Sequence, residues 1–205
     1  MIPVFFCCFI VFTFWLRYKL KHAAGSPTVS SEEFWNRERE SNFIPKKDIS
    51  DLDYIKVPLQ EFPFRDDTSD EALIDWQNKV RAASEKKMLN LTGFSNTDLK
   101  FAYGSANYPL LADYDQNFTV FIRNLFGWAK YLSETGDITA ARQLLEFGVA
   151  CRSDISGNYT LLADIYLKAD DLDSFYWLQE QASHIPGARK EAICASLSAL
   201  LQQYN

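Results

Sequence analysis

The sequence predicts a mainly α-helical protein, in which an N-terminal transmembrane helix is followed by an extended arm and then a helical-hairpin bundle. Three observations lead to this fold class. The first residues are apolar without interruption, prolines divide the next stretch, and the remaining residues place apolar side chains at helical spacing between turn signals. We divide the chain into an anchor with its basic flank (1–21), a tether and extended arm (22–68), and an α-helical domain (69–205).

The N-terminal segment has the composition of a membrane anchor. From Ile2 to Leu16 it reads IPVFFCCFIVFTFWL and contains no charge. Counted through Leu20, it reaches the roughly twenty residues that a helix needs to cross a bilayer. Basic residues come directly after the uncharged run, at Arg17, Lys19 and Lys21, and by the positive-inside rule they favour a cytoplasmic domain. We therefore expect residues 1–20 to contact membrane lipid in a single-pass protein of the cell membrane.

A cleaved signal peptide is the alternative for this segment. Signal peptides carry positive charge before the apolar run and small residues at its end. Here the charges follow the run, and Phe14, Trp15 and Leu16 occupy its end. An uncleaved anchor is therefore favoured. Three sequons, at Asn90, Asn117 and Asn158, would be used only in a secretory lumen, and we interpret them as coincidental.

Composition and charge favour a folded, acidic domain. Hydrophobic residues make up 47% of the chain and charged residues 23%, which is enough to form a core and does not indicate disorder. The net charge is −6, and because the basic flank contributes +3, the rest of the chain carries −9. Phosphate backbones repel such a domain, so we expect no nucleic-acid partner.

The arm and the helices follow from prolines, caps and periodicity. Prolines at 45, 58 and 63 exclude a long helix from Ile44 to Phe64, so this arm should lie against the domain through Leu52, Tyr54, Ile55, Val57, Leu59 and Phe62. We expect Ser31 to cap a short helix. Further short helices should follow Asn96 and Pro109, the first of them ending at Gly104. The longer helices are predicted at 70–91, 118–134, 138–151, 156–168, 172–184 and 188–203.

The last part of the chain contains a repeat, in which related residues recur at one constant offset. The offset relates Trp128 to Leu162, Ala129 to Ala163, Leu132 to Tyr166, Gly136 to Asp170 and Gly148 to Ala182. Residues 122–187 resemble the tetratricopeptide repeat family in this period of about 34 residues, in the small Ala129, Ala141 and Gly148, and in the turn Gly136-Asp137. The second unit departs from the pattern, with Phe175 where alanine is usual and Asp170 for the turn glycine. A plain helical bundle with similar hairpins is the alternative.

The resemblance implies a binding groove. In that family the first helix of each repeat lines a concave surface that holds a partner's peptide. It would here present Arg123, Phe126, Lys130, Asp164 and Lys168. Two repeats are few, so the preceding helices and the 188–203 helix should cap them.

A second resemblance is carried by three segments, FWNRE (34–38), KKDISDLDYIKVPL (46–59) and LNLTGFSNTDLKFAYG (89–104). Through them the whole chain resembles an uncharacterised family of small single-pass, membrane-anchored helical proteins of anaerobic Gram-positive bacteria. The resemblance implies the topology and adds no activity.

The sequence offers no catalytic, metal or cofactor motif. Its four cysteines form no CxxC pair, and its histidines are His22 and His184, so we assemble no zinc site and expect free thiols. Phosphate-loop, dinucleotide and nucleophile-elbow motifs are missing from the sequence. The most polar segment surrounds Asn96, Asp98, Lys100 and Asn107. We interpret these residues as caps and turns, with a recognition surface as the alternative.

The predicted function is a membrane-tethered protein-interaction or scaffold module with no catalytic activity of its own. A structural subunit of a larger membrane complex is the first alternative, because the aromatic residues need covering. An enzyme with an unrecognised site is the second. A partner that survives pull-down from detergent would favour the subunit, and a deep pocket with convergent ionisable groups would favour the enzyme.

Overall fold

The computed structural model describes residues 2–23, 30–187 and 189–204, and divides into two compact units, Met1–Phe43 and Ile44–Asn205. Within the described residues there are nine α-helices and no strands, which confirms the mainly α-helical prediction. The helices are α1 (Ile2–Ala23), α2 (Ser31–Ser41), α3 (Glu71–Ser84), α4 (Asn96–Tyr103), α5 (Tyr108–Glu134), α6 (Ile138–Ala150), α7 (Ser156–Lys168), α8 (Leu172–Ser183) and α9 (Arg189–Tyr204). Two short 3₁₀ turns, Leu59–Glu61 and Ser105–Asn107, precede α3 and α5.

The first unit contains α1 and α2. Within the described residues, no helix has both the length and the apolarity needed to cross a membrane. Helix α2 begins one residue after its cap: the hydroxyl of Ser30 accepts from the backbone N–H of Glu33 at 3.1 Å, so Ser30 and not Ser31 is the N-cap. Most of the predicted tether, residues 24–29, lies outside the described residues.

In the second unit, the stretch from Ile44 to Phe64 forms no α-helix and lies along the helical domain. Its backbone is held by the N–H of Ile55, which donates to the carbonyl of Met88 at 3.1 Å. Phe62 is buried, and its ring meets those of Phe147 and Trp128 edge-on, with centroids 5.1 and 6.4 Å away. The other predicted anchors are half-buried and pack against the two apolar clusters of the unit.

Two predicted helix boundaries are wrong. Helix α3 ends at Ser84 and not near Leu91, because tertiary hydrogen bonds take over the backbone that follows: the N–H of Leu89 donates to the carbonyl of Tyr114, and that of Leu91 to Asp115. Helix α5 is continuous over its 27 residues, whereas we predicted a separate helix from 118. Proline occupies its first turn, and no glycine or proline interrupts it before Gly127.

The main core lies among α3, α5, α6, α7, α8 and α9. Its largest fully buried side chains include Trp128, Tyr159, Tyr166, Phe121 and Phe175. A smaller cluster of Leu89, Leu91, Leu99 and Leu111 joins α4 and the start of α5 to the arm. Helix α5 is the central helix of this core, and α3 and α6 both pack against it.

Candidate protein-binding groove

The hairpins α5–α6 and α7–α8 repeat at the interval found in the sequence. The first helix of each hairpin ends at Glu134 and at Lys168, one repeat period apart. The second helix of each begins at Ile138 and at Leu172, again one repeat period apart. The hairpin turns therefore have the same length and the same register.

The two turns also share their hydrogen bonds. Asp137 and Asp171 are the N-caps of α6 and α8, and each carboxylate accepts from the backbone N–H three residues later, at 3.2 and 3.1 Å. The preceding Gly136 and Asp170 both have left-handed backbones, with φ of +89° and +56°. Asp170 replaces the usual glycine there because a short polar side chain tolerates this region better than other residues do.

Burial repeats at the same interval. Ala129 and Ala163 are both buried. The pairs Trp128/Leu162, Leu132/Tyr166, Ala141/Phe175, Leu144/Leu178 and Gly148/Ala182 are buried at both positions. Helix α9 continues the series with Ile193 and Leu197, which follow Tyr159 and Ala163 by one repeat period and are fully buried. The larger side chain of Phe175, which stands at the position equivalent to Ala141, is thus accommodated in the core.

A concavity of about 610 Å³ lies between the C-terminal turn of α7 and the N-terminal turns of α6. Two of the predicted groove residues, Asp164 and Lys168, line it, and they form an ion pair at 2.7 Å. Its other lining residues include Ser133, Ile138, Thr139, Arg142 and Ile165. The concavity therefore combines apolar side chains with charges of both signs, which suits an extended peptide segment.

Asp164 is held charged at this site. Burial alone would raise the pKa of its carboxyl, but hydrogen bonds from Lys168 and from the Tyr204 hydroxyl outweigh burial and lower that pKa. The Tyr204 bond, 2.6 Å long, brings the end of α9 to the second hairpin. The C-terminal helix thus closes one side of the repeat.

Arg142 organises the opposite wall. Its guanidinium pairs with Glu146 at 2.6 Å and with Asp171 at 3.5 Å, and it lies over the ring of Tyr166. The hydrogen bond to Glu146 raises the pKa of Arg142. The Tyr166 hydroxyl donates to the same Glu146 carboxylate at 2.8 Å, so one network joins α6, α7 and the start of α8.

The predicted groove residues of α5 do not line this concavity. Arg123 is exposed, and Lys130 is exposed and pairs with Glu134 at 3.7 Å. Phe126 is half-buried against Gly157, where an added Cβ would lie 2.5 Å from the end of its ring. The structure thus brings together the α7 members of the predicted set and leaves the α5 members outside the concavity.

Sequence reasoning missed Ile138, Thr139, Arg142 and Ile165. One signal in the sequence was available for Ile138: it is an apolar residue directly after Asp137, and Leu172 directly follows Asp171 at the equivalent position of the next hairpin. In the structure these two side chains are 43% and 41% exposed. An apolar residue that recurs at the start of the second helix of each hairpin therefore marks a surface position. The tetratricopeptide resemblance pointed only to the first helix of each hairpin and did not include this position.

The predicted polar surface is smaller than expected. Asn96 is exposed, Asp98 forms a capping box with Ser95, and the Lys100 ammonium lies 5.7 Å from the centre of the Tyr108 ring. Asn107 is 1% exposed, and its amide donates to the carbonyls of Lys47 and Tyr103. Its assignment to a recognition surface is wrong, because these bonds tie the arm to α4 inside the domain.

Within the described part of the chain, no three His, Cys, Asp or Glu side chains come together in a way that would hold a metal ion. The expected absence of cofactor, metal and catalytic residues stays a prediction. No protein-family model, curated protein or solved structure matches the chain, so both resemblances stay predictions as well.

Proposed function

We propose that this protein is a membrane-tethered interaction module whose tetratricopeptide-like hairpins hold an extended peptide segment of a partner protein. The observation that carries the proposal is the concavity between α6 and α7, at the junction of two hairpins that share one repeat register. Ile138 and Ile165 offer apolar contact, while Arg142, Asp164 and Lys168 offer both signs of charge. Such a lining binds side chains of an extended chain and selects among them by charge.

Site-specific photo-crosslinking in living cells tests this function. A photoreactive phenylalanine analogue replaces Ile138 inside the concavity or, as a matched control, Leu172, which has the same repeat position and nearly the same exposure outside it. We expect a discrete protein adduct at position 138 that is missing at 172. Lys168→Glu should abolish it, since the concavity then loses its exposed cation. Equal adducts at the two positions, or none at 138, would contradict the proposal.

We propose that α1 supplies the tether. Phe6, Phe9, Val11 and Phe14 on this helix are exposed, and a helix with so much exposed apolar surface gains free energy in lipid. The basic residues in the C-terminal part of α1, Arg17, Lys19 and Lys21, favour a single pass with the domain in the cytoplasm. The amide nitrogen of each sequon asparagine is hydrogen-bonded in the folded domain: Asn90 donates to Cys151 and Arg152, Asn117 to Lys87, and Asn158 to Leu145. Each of these side chains therefore has a structural role that needs no glycan.

Fractionation and proteolysis test the tether. The full-length protein should stay with membranes in alkaline carbonate, and Phe9→Asp combined with Phe12→Asp should release it. Phe34→Asp on α2 is the control, since Phe34 is a comparably exposed phenylalanine outside α1. In sealed spheroplasts the domain should resist protease until lysis. Digestion without lysis would place the domain outside the cell and overturn the orientation.

A further inference from the structure

A second cleft, of about 490 Å³, opens on the helical unit away from the concavity between α6 and α7. It lies among the arm around Asp53, the segment 89–94, the C-terminal end of α6 and the turn that follows α8. Its volume is in the range of small-molecule sites. None of its lining residues belongs to the groove described above.

The walls of this cleft are fixed by hydrogen bonds and close packing. The Asn90 amide donates to the carbonyls of Cys151 and Arg152 at 2.8 and 3.0 Å, which joins the segment 89–94 to the end of α6. The side-chain oxygen of Asn90, Oδ1, accepts from the backbone N–H of Thr92. Gly93 packs so closely on Pro186 that an added Cβ would lie 2.7 Å from the proline ring. The cleft is therefore formed before any ligand arrives.

Arg152 occupies an unfavourable backbone conformation at the edge of this cleft. Its φ is +56°, and among the described residues only Asp170 is another non-glycine residue with positive φ. The position follows the C-cap of α6, and the next N–H, of Ser153, returns to the carbonyl of Gly148. Glycine or asparagine ordinarily occupies it, since a left-handed residue with a long side chain is strained. Backbone strain of this kind clusters at functional sites, which makes the Arg152 side chain a candidate for a role at this cleft.

The guanidinium of Arg152 is available for a ligand. The side chain is exposed, and in the described ranges 30–187 and 189–204 it forms no ion pair. Most other arginines of the helical unit do: Arg65 pairs with Asp137, Arg81 with Asp66, Arg142 with Glu146 and Arg189 with Asp154. A planar guanidinium that has no ion-pair partner binds carboxylate or phosphate oxygens by paired hydrogen bonds.

The remaining lining indicates what lies beside that oxyanion. Phe94 is 51% exposed, and Tyr103 is half-buried in the same cleft, so aromatic surface faces the ligand space. His184 adds a hydrogen-bonding side chain. Cys151 lies at the inner wall, but burial followed by the Asp53 charge raises the pKa of its thiol to about 12, so it is not a nucleophile.

We propose that this cleft binds a small molecule with one oxyanion beside an aromatic or apolar body. The oxyanion pairs with Arg152, and the body lies against Phe94 and Tyr103. The cleft is separate from the peptide groove, so this proposal does not depend on the proposed interaction with a protein partner.

The test uses full-length protein, methyl-labelled at isoleucine and leucine, in an uncharged detergent. The cleft supplies its own reporters, since Leu52, Ile55, Leu89 and Leu91 line it. The probes are N-acetyl-phenylalanine, its uncharged amide, and phenyl phosphate. We expect both anions to shift these methyl resonances saturably, and the amide to bind roughly tenfold more weakly or worse, as loss of a charge-assisted hydrogen bond implies. The stronger of the two anions identifies the oxyanion.

Three variants assign the binding to Arg152. Arg152→Gly removes the guanidinium while relieving the backbone, so it should raise the melting temperature and weaken anion binding by about tenfold. Asp170→Gly relieves the smaller strain at the other left-handed non-glycine residue, outside the cleft, so it should raise the melting temperature by less and leave binding unchanged. Arg152→Lys keeps a cation and should retain part of the affinity. Equal binding of acid and amide, unchanged binding by Arg152→Gly, or no saturable shift with either anion would overturn the proposal.

Discussion

The hydroxyl of Tyr131 on α5 donates a hydrogen bond of 2.5 Å to Oδ2 of Asp70, the N-cap of α3. The other carboxylate oxygen of Asp70 accepts from the backbone N–H groups of Ala72 and Leu73, each at 3.1 Å. One carboxylate therefore both begins α3 and attaches it to the first helix of the repeat. The Tyr131 hydrogen bond is the main reason that the pKa of Asp70 is lowered, and the same bond raises the pKa of Tyr131.

This pair predicts a defined pH dependence of folding stability. Because the pKa of folded Asp70 lies below its ordinary 3.8, the carboxylate contributes stability above that pH, and this contribution is lost as the pH falls. Because the pKa of folded Tyr131 lies above 10, its contribution is present below about pH 10 and is lost at higher pH. Tyr131→Phe should thus lower the free energy of unfolding most near pH 7. Urea titrations of both proteins across this range measure it, and a difference that does not vary with pH would contradict the assignment.

Gly148 on α6 lies so close to Asn158 that we expect substitutions at these two positions to have coupled effects on stability. An added Cβ would lie 2.6 Å from Oδ1 of Asn158, which is buried and donates from its amide nitrogen to the carbonyl of Leu145. The carbonyl oxygen of this amide has no hydrogen-bond partner in the described structure. Gly148→Ala should therefore destabilise by about 1–3 kcal/mol through overpacking.

The double variant tests whether the two side chains collide. In Asn158→Ala the space beside Gly148 is free, so Gly148→Ala should cost much less there than in the wild type. Urea unfolding of the four proteins gives the coupling free energy. Additive costs would mean that the backbone of α6, and not Asn158, resists the extra methyl group. Gly136→Ala is a useful comparison, because its Cβ would contact nothing and only the positive φ is penalised.

The repeat was visible in the sequence, whereas the site at its junction was not. Periodicity and caps predicted the starts of α6 and α8, since local hydrogen bonds to Asp137 and Asp171 decide them. The end of α3 and the burial of Asn107 depend on bonds to distant backbone, which no local pattern contains. Arg142 was missed for the same reason: it meets Asp171 and Tyr166 only after the hairpins pack.

We expect truncation of one side chain of the arm, Phe62, to cause a large loss of folding stability. Phe62 is 7% exposed and packs against Phe147, Trp128 and Phe64, so Phe62→Ala should cost about 3–5 kcal/mol. Phe43→Ala is the matched control, because Phe43 is 82% exposed and its loss should change stability by less than about 0.5 kcal/mol. Chemical denaturation of the full-length protein in detergent measures both. A small effect at Phe62 would mean that the arm detaches without disturbing the core.

We expect the thiol of Cys151 to stay unreactive until the domain unfolds. It is buried, and its raised pKa of about 12 leaves roughly one thiolate in ten thousand near pH 8. Cys194 is half-buried and lies outside the proposed membrane helix α1, so iodoacetamide should modify it first, with peptide mapping to locate the label. In urea Cys151 should react as fast as Cys194, which provides the control within one protein. Rapid labelling of Cys151 in the folded chain would mean that the segment 89–94 opens away from α6, because the Asn90 bonds to Cys151 and Arg152 hold that wall of the cleft. Slow labelling that Asn90→Ala accelerates would show that these bonds keep the thiol covered.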